Sequence, residues 1–191
     1  MTGKTGTRDR CDQQVQLDSL IDEFYGTIDE LGSFRTVASC PKPFDQLLDH
    51  EAHMTVTVEA FHGDLVNVDV HQTRSIGDEL LPASYTREIT LATRGNGTLV
   101  QYGIVRLDPS ALAIDVWKEI HSQAIPLGRV LINHQVLRDV HLCQLWEVVA
   151  GPALASRLKI PVGETTYGRT ARISCDSRPA IELLEIVRLQ E

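Results

Sequence analysis

The feature that most constrains this chain is a strand-like run, Tyr85-Thr86-Arg87-Glu88-Ile89-Thr90-Leu91-Ala92-Thr93, with an arginine in its apolar row. Side chains alternate faces along a β-strand. Tyr85, Arg87, Ile89 and Leu91 therefore share one face, and Thr86, Glu88, Thr90 and Ala92 the other. The first row reads as core; the second, mostly polar, reads as a face suited to water. Arg87 thus points where apolar contacts are expected. A buried guanidinium is costly unless a carboxylate or a bound anion pairs with it.

Other runs repeat the alternation. Met54, Val56, Val58 and Ala60 form one apolar row and Val66, Val68 and Val70 another, with His62-Gly63-Asp64 read as the hairpin turn between them. Residues 72–84 read as a connection. Arg94-Gly95-Asn96-Gly97 is a hairpin signal, and Leu99 to Leu107 is the return strand. Thr165 to Ser174 places Tyr167, Arg169, Ala171 and Ile173 on one face. Asp176-Ser177-Arg178-Pro179 reads as a turn into a last strand, where Ile181, Leu183, Glu185, Val187 and Leu189 share a face.

Helical spacing covers 13–31, with Leu20, Ile21, Phe24, Ile28 and Leu31 in one stripe and a stop at Gly32. A short helix is expected from Phe44 to about Ala52. Another is expected from Asp108, the candidate N-cap, through Pro109 to about His121. Pro126-Leu127-Gly128 implies a tight turn whose backbone N–H groups either bind an anion or simply cap a helix. Residues 133–160, apolar near Leu142–Val149, fit no single element. The result is an α+β single domain with a roughly six-stranded antiparallel sheet, not a set of βαβ units. The expected organisation is a disordered tail at 1–12, an N-terminal helical extension at 13–35 and one domain at 36–191.

At 191 residues the chain can bury a sizeable core in one domain. Its formal net charge of −8, without a Lys/Arg-rich run, argues against nucleic-acid binding through a broad basic surface. No apolar run approaches the roughly 20 residues of a membrane helix, and the N-terminus lacks an apolar signal segment. A cytoplasmic protein is the expectation. Cys11, Cys40, Cys143 and Cys175 are dispersed and read as reduced thiols. His50-Glu51-Ala52-His53 raises a metal hypothesis but lacks the spacing that puts two histidines on one helical face, so no metal is expected. Dinucleotide, P-loop and nucleophile-elbow signatures do not occur. Oligomeric state is not legible.

Three charged residues, Arg87, Arg169 and Glu185, sit in apolar strand rows. One reading is a buried ionic network that satisfies itself. The other is a closed cavity for a small anion, with the arginines gripping carboxylates and Glu185 holding a hydroxyl or moving a proton. Two arginines against one glutamate leave a positive excess that an anionic ligand would balance.

The order Y-T-R-E-I-T-L, P-L-G-R-V-L, Y-G-R-T-A and a C-terminal strand carrying Glu185 resembles chorismate pyruvate-lyase, over about residues 44–189. Upstream, L-L-D-H-E-A-H-M-T is similar to the segment in which a leucine pair leads to Met-Thr. The resemblance implies an antiparallel sheet with an internal ligand cavity enclosed by helical flaps. It implies elimination of pyruvate from chorismate to give 4-hydroxybenzoate, with no metal or cofactor. Carried onto this chain, Arg87 and Glu185 are the catalytic pair, on the ring carboxylate and the ring hydroxyl. Leu127 and Gly128 supply the turn N–H, Met54 lines the cavity, and Tyr85 and Arg169 belong to the substrate-binding group. Where the family has a second arginine this chain has Ile104, which is counted with the substrate-binding residues, with Arg106 displaced by one pair, and the last strand is one residue longer between Pro179 and Glu185. A related aryl acid, or a ligand with a single carboxylate, then stands beside chorismate as the small-molecule partner. A non-catalytic binder with the fold of regulator effector-binding domains stands beside the enzyme.

Overall fold

Alternation of apolar side chains along seven strands builds one antiparallel sheet in the order β1-β5-β6-β7-β4-β3-β2. The structure, a computed structural model, describes residues 15–189. The strands are β1 (Gly32–Val37), β2 (Val66–Gly77), β3 (Pro82–Thr93), β4 (Leu99–Leu107), β5 (Arg138–Ala150), β6 (Thr165–Cys175) and β7 (Arg178–Val187). The helices are α1 (Leu17–Ile21), α2 (Ile28–Leu31), α3 (Phe44–Leu48), α4 (Met54–His62), α5 (Ile114–His121), α6 (Leu127–Asn133) and α7 (Pro152–Leu158). The expected α+β domain with an antiparallel sheet is therefore observed.

The sheet is the middle of three layers. One face carries Tyr85, Ile89, Leu91, Val105, Ile173, Leu183 and Val187, packed under α3–α6 through residues such as Leu47, Met54, Val58, Ile120, Leu127 and Val130. The other carries Tyr102, Ile104, Val148, Leu184 and Ile186, packed under α1, α2 and α7 through Leu20, Ile21, Leu31, Leu154 and Leu158. The β6–β7 hairpin closes through Asp176 and Ser177, both at positive φ (48° and 65°), the backbone of a two-residue turn that matches strand twist. At the junction of α2, β1 and α7, a Cβ on Gly151 would sit 2.5 Å from the Asp29 carbonyl oxygen. Only glycine lets these three elements meet.

Several expectations change. Met54–His62 is helix α4, not a strand, and Gly63 is its left-handed C-cap (φ 66°) where a hairpin turn was expected. Met54 and Val58 are four residues apart, so M-T-V-T-V satisfies the helical period as well as the strand period; the helix buries Met54, Thr55 and Val58. Residues 72–84 are mostly strand, because β2 runs to Gly77 and β3 starts at Pro82. The helix expected over 13–31 is two short ones, α1 and α2, within the described residues. The second starts with a capping box between Thr27 and Glu30. The stretch taken as an N-terminal extension also enters the sheet, since Gly32 pairs with Ala150 and Val37 with Leu145. Asp108 caps a short 3-10 turn, Pro109–Ala111, by accepting from the Ser110 N–H, and α5 begins separately at Ile114. The tail at 1–12, with Cys11, lies outside the described residues.

The largest revision concerns the polar row of β3. Thr86, Glu88 and Thr90 are at most 2% exposed. They face α1, α2 and α7 instead of water. Glu88 is accommodated there by hydrogen bonds from Arg157 (Nη2 to Oε2, 2.8 Å), Gln72 (3.1 Å), Tyr102 (3.1 Å) and Tyr25. Burial works to raise the Glu88 pKa, but the bonds from Arg157, Tyr25 and Gln72 outweigh it and hold the carboxyl below its usual range. This cluster ties α7 and the α1–α2 segment to the sheet.

Candidate functional site

Beneath α4 and α6, the sheet face offers a lattice of side chains fixed by register. Arg87 on β3 stands opposite Val105 on β4, which stands opposite Leu183 on β7. In the next inward row Ile89 opposes Gly103, Gly103 opposes Glu185, and Glu185 opposes Arg169 on β6. The row beyond sets Leu91 against Gln101, and Gln101 against Val187.

Glu185 and Arg169 satisfy each other. Arg169 Nε donates to Glu185 Oε2 at 2.7 Å, and both side chains are almost wholly buried. The same guanidinium donates to the His50 carbonyl at 2.8 Å and the Ala52 carbonyl at 3.3 Å. Arg169 therefore anchors the α3–α4 connection to the sheet as well as neutralising Glu185.

Arg87 has no such partner. Its side chain is fully buried, and its one hydrogen bond among the described residues is a long one, from Nη1 to the Ile120 carbonyl of α5 at 3.4 Å. Nε and Nη2 have no hydrogen-bond partner among the described residues. These two nitrogens share one edge of the guanidinium plane, the edge whose parallel N–H groups match a carboxylate or phosphate. Burial lowers the Arg87 pKa, opposed by the nearby Tyr85 hydroxyl. Among the described residues no carboxylate pairs with this cation. The positive excess read from the sequence is therefore located at one end of the lattice.

A cavity of about 30 Å³ lies against this face, lined by Met54, Ile89, Gln101, Gly103, Val105, Leu127, Gly128, Arg169 and Glu185 among others. That volume holds one or two water molecules, so seating an organic ligand requires α4 or α6 to move outward. The two helices meet closely: a Cβ on Gly128 would stand 2.7 Å from Thr55 Oγ1. Beyond them is an open groove of about 720 Å³ that shares Ala52, His53 and Val140 with the inner cavity. His53 stands between the two spaces, where its Nε2 accepts from Arg138 Nε. Burial, then Arg138, then Arg169 push the His53 pKa down to about 4, so the ring is neutral at pH 7. His50 instead uses Nδ1 to accept from the Ala52 N–H. The two histidines of the H-E-A-H run thus have different partners, and no metal-binding group of three or more His, Cys, Asp or Glu occurs among the described residues.

Of the residues singled out from the sequence, Met54, Leu127, Gly128, Arg169 and Glu185 converge on the cavity. Arg87 is not itself a lining residue; its strand partner Val105 and its same-face neighbour Ile89 are. Tyr85 packs towards α5, its ring 5.2 Å from Trp117 and its hydroxyl accepting from Gln123 at 3.1 Å. Ile104 does not join them. It lies on the opposite face with Tyr102, Leu184 and Ile186. A one-residue step along a strand exchanges faces, so the cavity-facing residues of β4 are Gln101, Gly103 and Val105. Gln101 was not singled out from the sequence, although the alternation that places Val105 also places it.

A larger cleft, of about 240 Å³, lies by Ser84, Arg106, Asp108, Arg172 and Glu182. Its arginines already face a carboxylate: Arg106 bonds Glu182 at 2.6 Å, and Arg172 lies 3.5 Å from Glu182. It offers no uncompensated charge of the kind Arg87 presents.

No protein-family model and no curated protein matches the sequence. Solved structures do match. The effector domain of PhnF from Mycobacterium smegmatis is similar at a TM-score of 0.54, with 13% identity over 71% of this chain and 88% of that one. The likeness is one of fold. PhnF from the same organism is similar at a TM-score of 0.53, with 12% identity over 72% of this chain. This chain spans 64% of that longer one. The architecture is thus the fold seen in that domain, an antiparallel sheet with helices on both faces. No helix among the described residues is long and apolar enough to cross a membrane.

Proposed function

We propose that this chain is a ligand-binding domain that takes a small organic anion, an aryl carboxylate being the leading candidate, between its sheet and α4–α6. The observation that carries the reading is Arg87: a fully buried cation whose guanidinium edge has no partner among the described residues, next on its strand face to the cavity-lining Ile89 and opposite the cavity-lining Val105. Isolated buried charge is strongly unfavourable, and a bound carboxylate both neutralises it and supplies two acceptors. The Arg169–Glu185 pair, already neutral, offers polarity without net charge at the other side of the floor. The shared fold with the PhnF effector domain supports a binding role over a catalytic one. The lyase reading draws on the order of sequence motifs alone.

The test is calorimetric titration of the purified chain with benzoate and 4-hydroxybenzoate, beside the Arg87→Met variant. Micromolar to millimolar binding by the wild type and its loss in the variant is the expected result. Equal affinity in the two proteins overturns the assignment of Arg87. Incubation with chorismate separates binder from enzyme: the binding reading expects no pyruvate above the spontaneous rate, and sustained pyruvate release would replace it with the lyase.

A further inference from the structure

We infer that Gln101 reads a hydrogen-bond donor on the ligand, which narrows the ligand class to a small organic anion carrying a hydroxyl or amino group at the end remote from its charge. The inference rests on the anion-cavity reading and adds a second recognition point to it. Gln101 is 2% exposed, lies on the cavity-facing side of β4 and lines the cavity. Its Oε1 has no hydrogen-bond partner among the described residues.

A buried amide oxygen without a donor is rare in folded proteins and costs stability. Here it recurs on the same sheet face as the unpartnered Arg87 edge. The other strongly polar groups of that face, Arg169 and Glu185, bond each other. The unsatisfied capacity of the floor is therefore of two kinds, a donor edge at Arg87 and an acceptor at Gln101.

Register sets their arrangement. Val105, opposite Arg87, and Gln101 are four residues apart on β4, or about 13 Å along the strand at 3.3 Å per residue. Between them is Gly103, a cavity-lining residue over which the Ile89 and Gln101 side chains close. A Cβ there would stand 3.4 Å from Ile89 Cγ1 and 3.7 Å from Gln101 Nε2. A ligand lying over Gly103 with its anion on Arg87 directs its far end towards Gln101. A far end that donates supplies the partner the buried amide oxygen lacks, and one that cannot donate leaves that oxygen as unsatisfied as it is in the free protein. Sites built to hydrogen-bond a hydroxyl reject analogues lacking it more strongly than apolar pockets reject an added hydroxyl.

The experiment compares 4-hydroxybenzoate with 4-methylbenzoate, which matches it in size but has no donor, by calorimetry on the full chain and on Gln101→Leu. The wild type is expected to prefer the hydroxy acid by about tenfold or more, and the variant to show a preference of less than about threefold. A wild-type preference near one overturns the Gln101 assignment without needing the variant to fold. A preference that survives in Gln101→Leu overturns it too. If both acids bind and Arg87→Met removes the binding while no hydroxyl preference exists, only this inference falls. If neither acid binds the wild type, the anion-cavity reading falls and takes this one with it.

Discussion

Replacing Arg87 by methionine should make the ligand-free protein more stable while destroying its binding site. The guanidinium is fully buried and loses only one long bond, at 3.4 Å, to the Ile120 carbonyl on substitution. No carboxylate among the described residues is left orphaned by its removal, which is what makes breaking an ordinary buried ion pair destructive. Methionine keeps most of the aliphatic stem and adapts to irregular space. Exchanging buried charged groups for apolar residues of similar volume is neutral to stabilising by about 1–4 kcal/mol, and about 2 kcal/mol is a reasonable centre here. In a chain of 191 residues, that gain raises Tm by about 4–8 °C, at about 2–4 °C per kcal/mol. Differential scanning calorimetry at pH 7 of wild type and variant, both without added acid, reads it directly. A drop of several degrees in Arg87→Met would refute the reasoning, because it would mean that Arg87 serves the fold and not a ligand.

The fully buried Glu88 makes the opposite prediction. Glu88→Ala strips the acceptor from Arg157, Gln72, Tyr102 and Tyr25, and urea denaturation should show a loss of about 3–5 kcal/mol; a loss under 1 kcal/mol would mean that water replaces the carboxylate. Acid should weaken the fold through its histidines. His50, His53, His62 and His71 all have pKa values lowered by burial, His53 to about 4. The unfolded chain therefore takes up protons first, and stability present above about pH 6.5 is lost as pH falls towards 4. Tm measured from pH 7.5 to 4.5 should decline through that window, less steeply in His53→Gln, and a flat profile would contradict the burial of these rings.

The β3–β4 and β6–β7 hairpins were legible because a period of two and turn residues coincide there, at Arg94-Gly95-Asn96-Gly97 and at Asp176-Ser177. The strand β5 was not. A register shift between Leu142 and Gln144 breaks its alternation, so apolar residues run together instead of alternating. The edge strand β1 has one well-buried residue, Gly32, in the pattern G-S-F-R-T-V, and nothing local marks it. The second face of β3 was misjudged for a different reason. Glu88 looks solvent-facing until Tyr25, Arg157 and Tyr102 close over it, and those partners come from 63, 69 and 14 residues away. At the site, Arg87 and Glu185 stood out as charges in apolar rows. Ile104 was placed by aligning a motif, and a one-residue offset in a strand moves a side chain to the other face. Gln101 needed no distant information; a neutral amide near a strand start simply looks less anomalous than a charge.

The most direct test of the central claim is a crystal structure of the chain with 4-hydroxybenzoate bound. The carboxylate is expected forked on Arg87 Nε and Nη2 at about 2.7–2.9 Å, with α4 or α6 displaced to admit the ring. A ligand found instead in the cleft by Arg106 and Arg172, with the Arg87 edge still unpartnered, would contradict it.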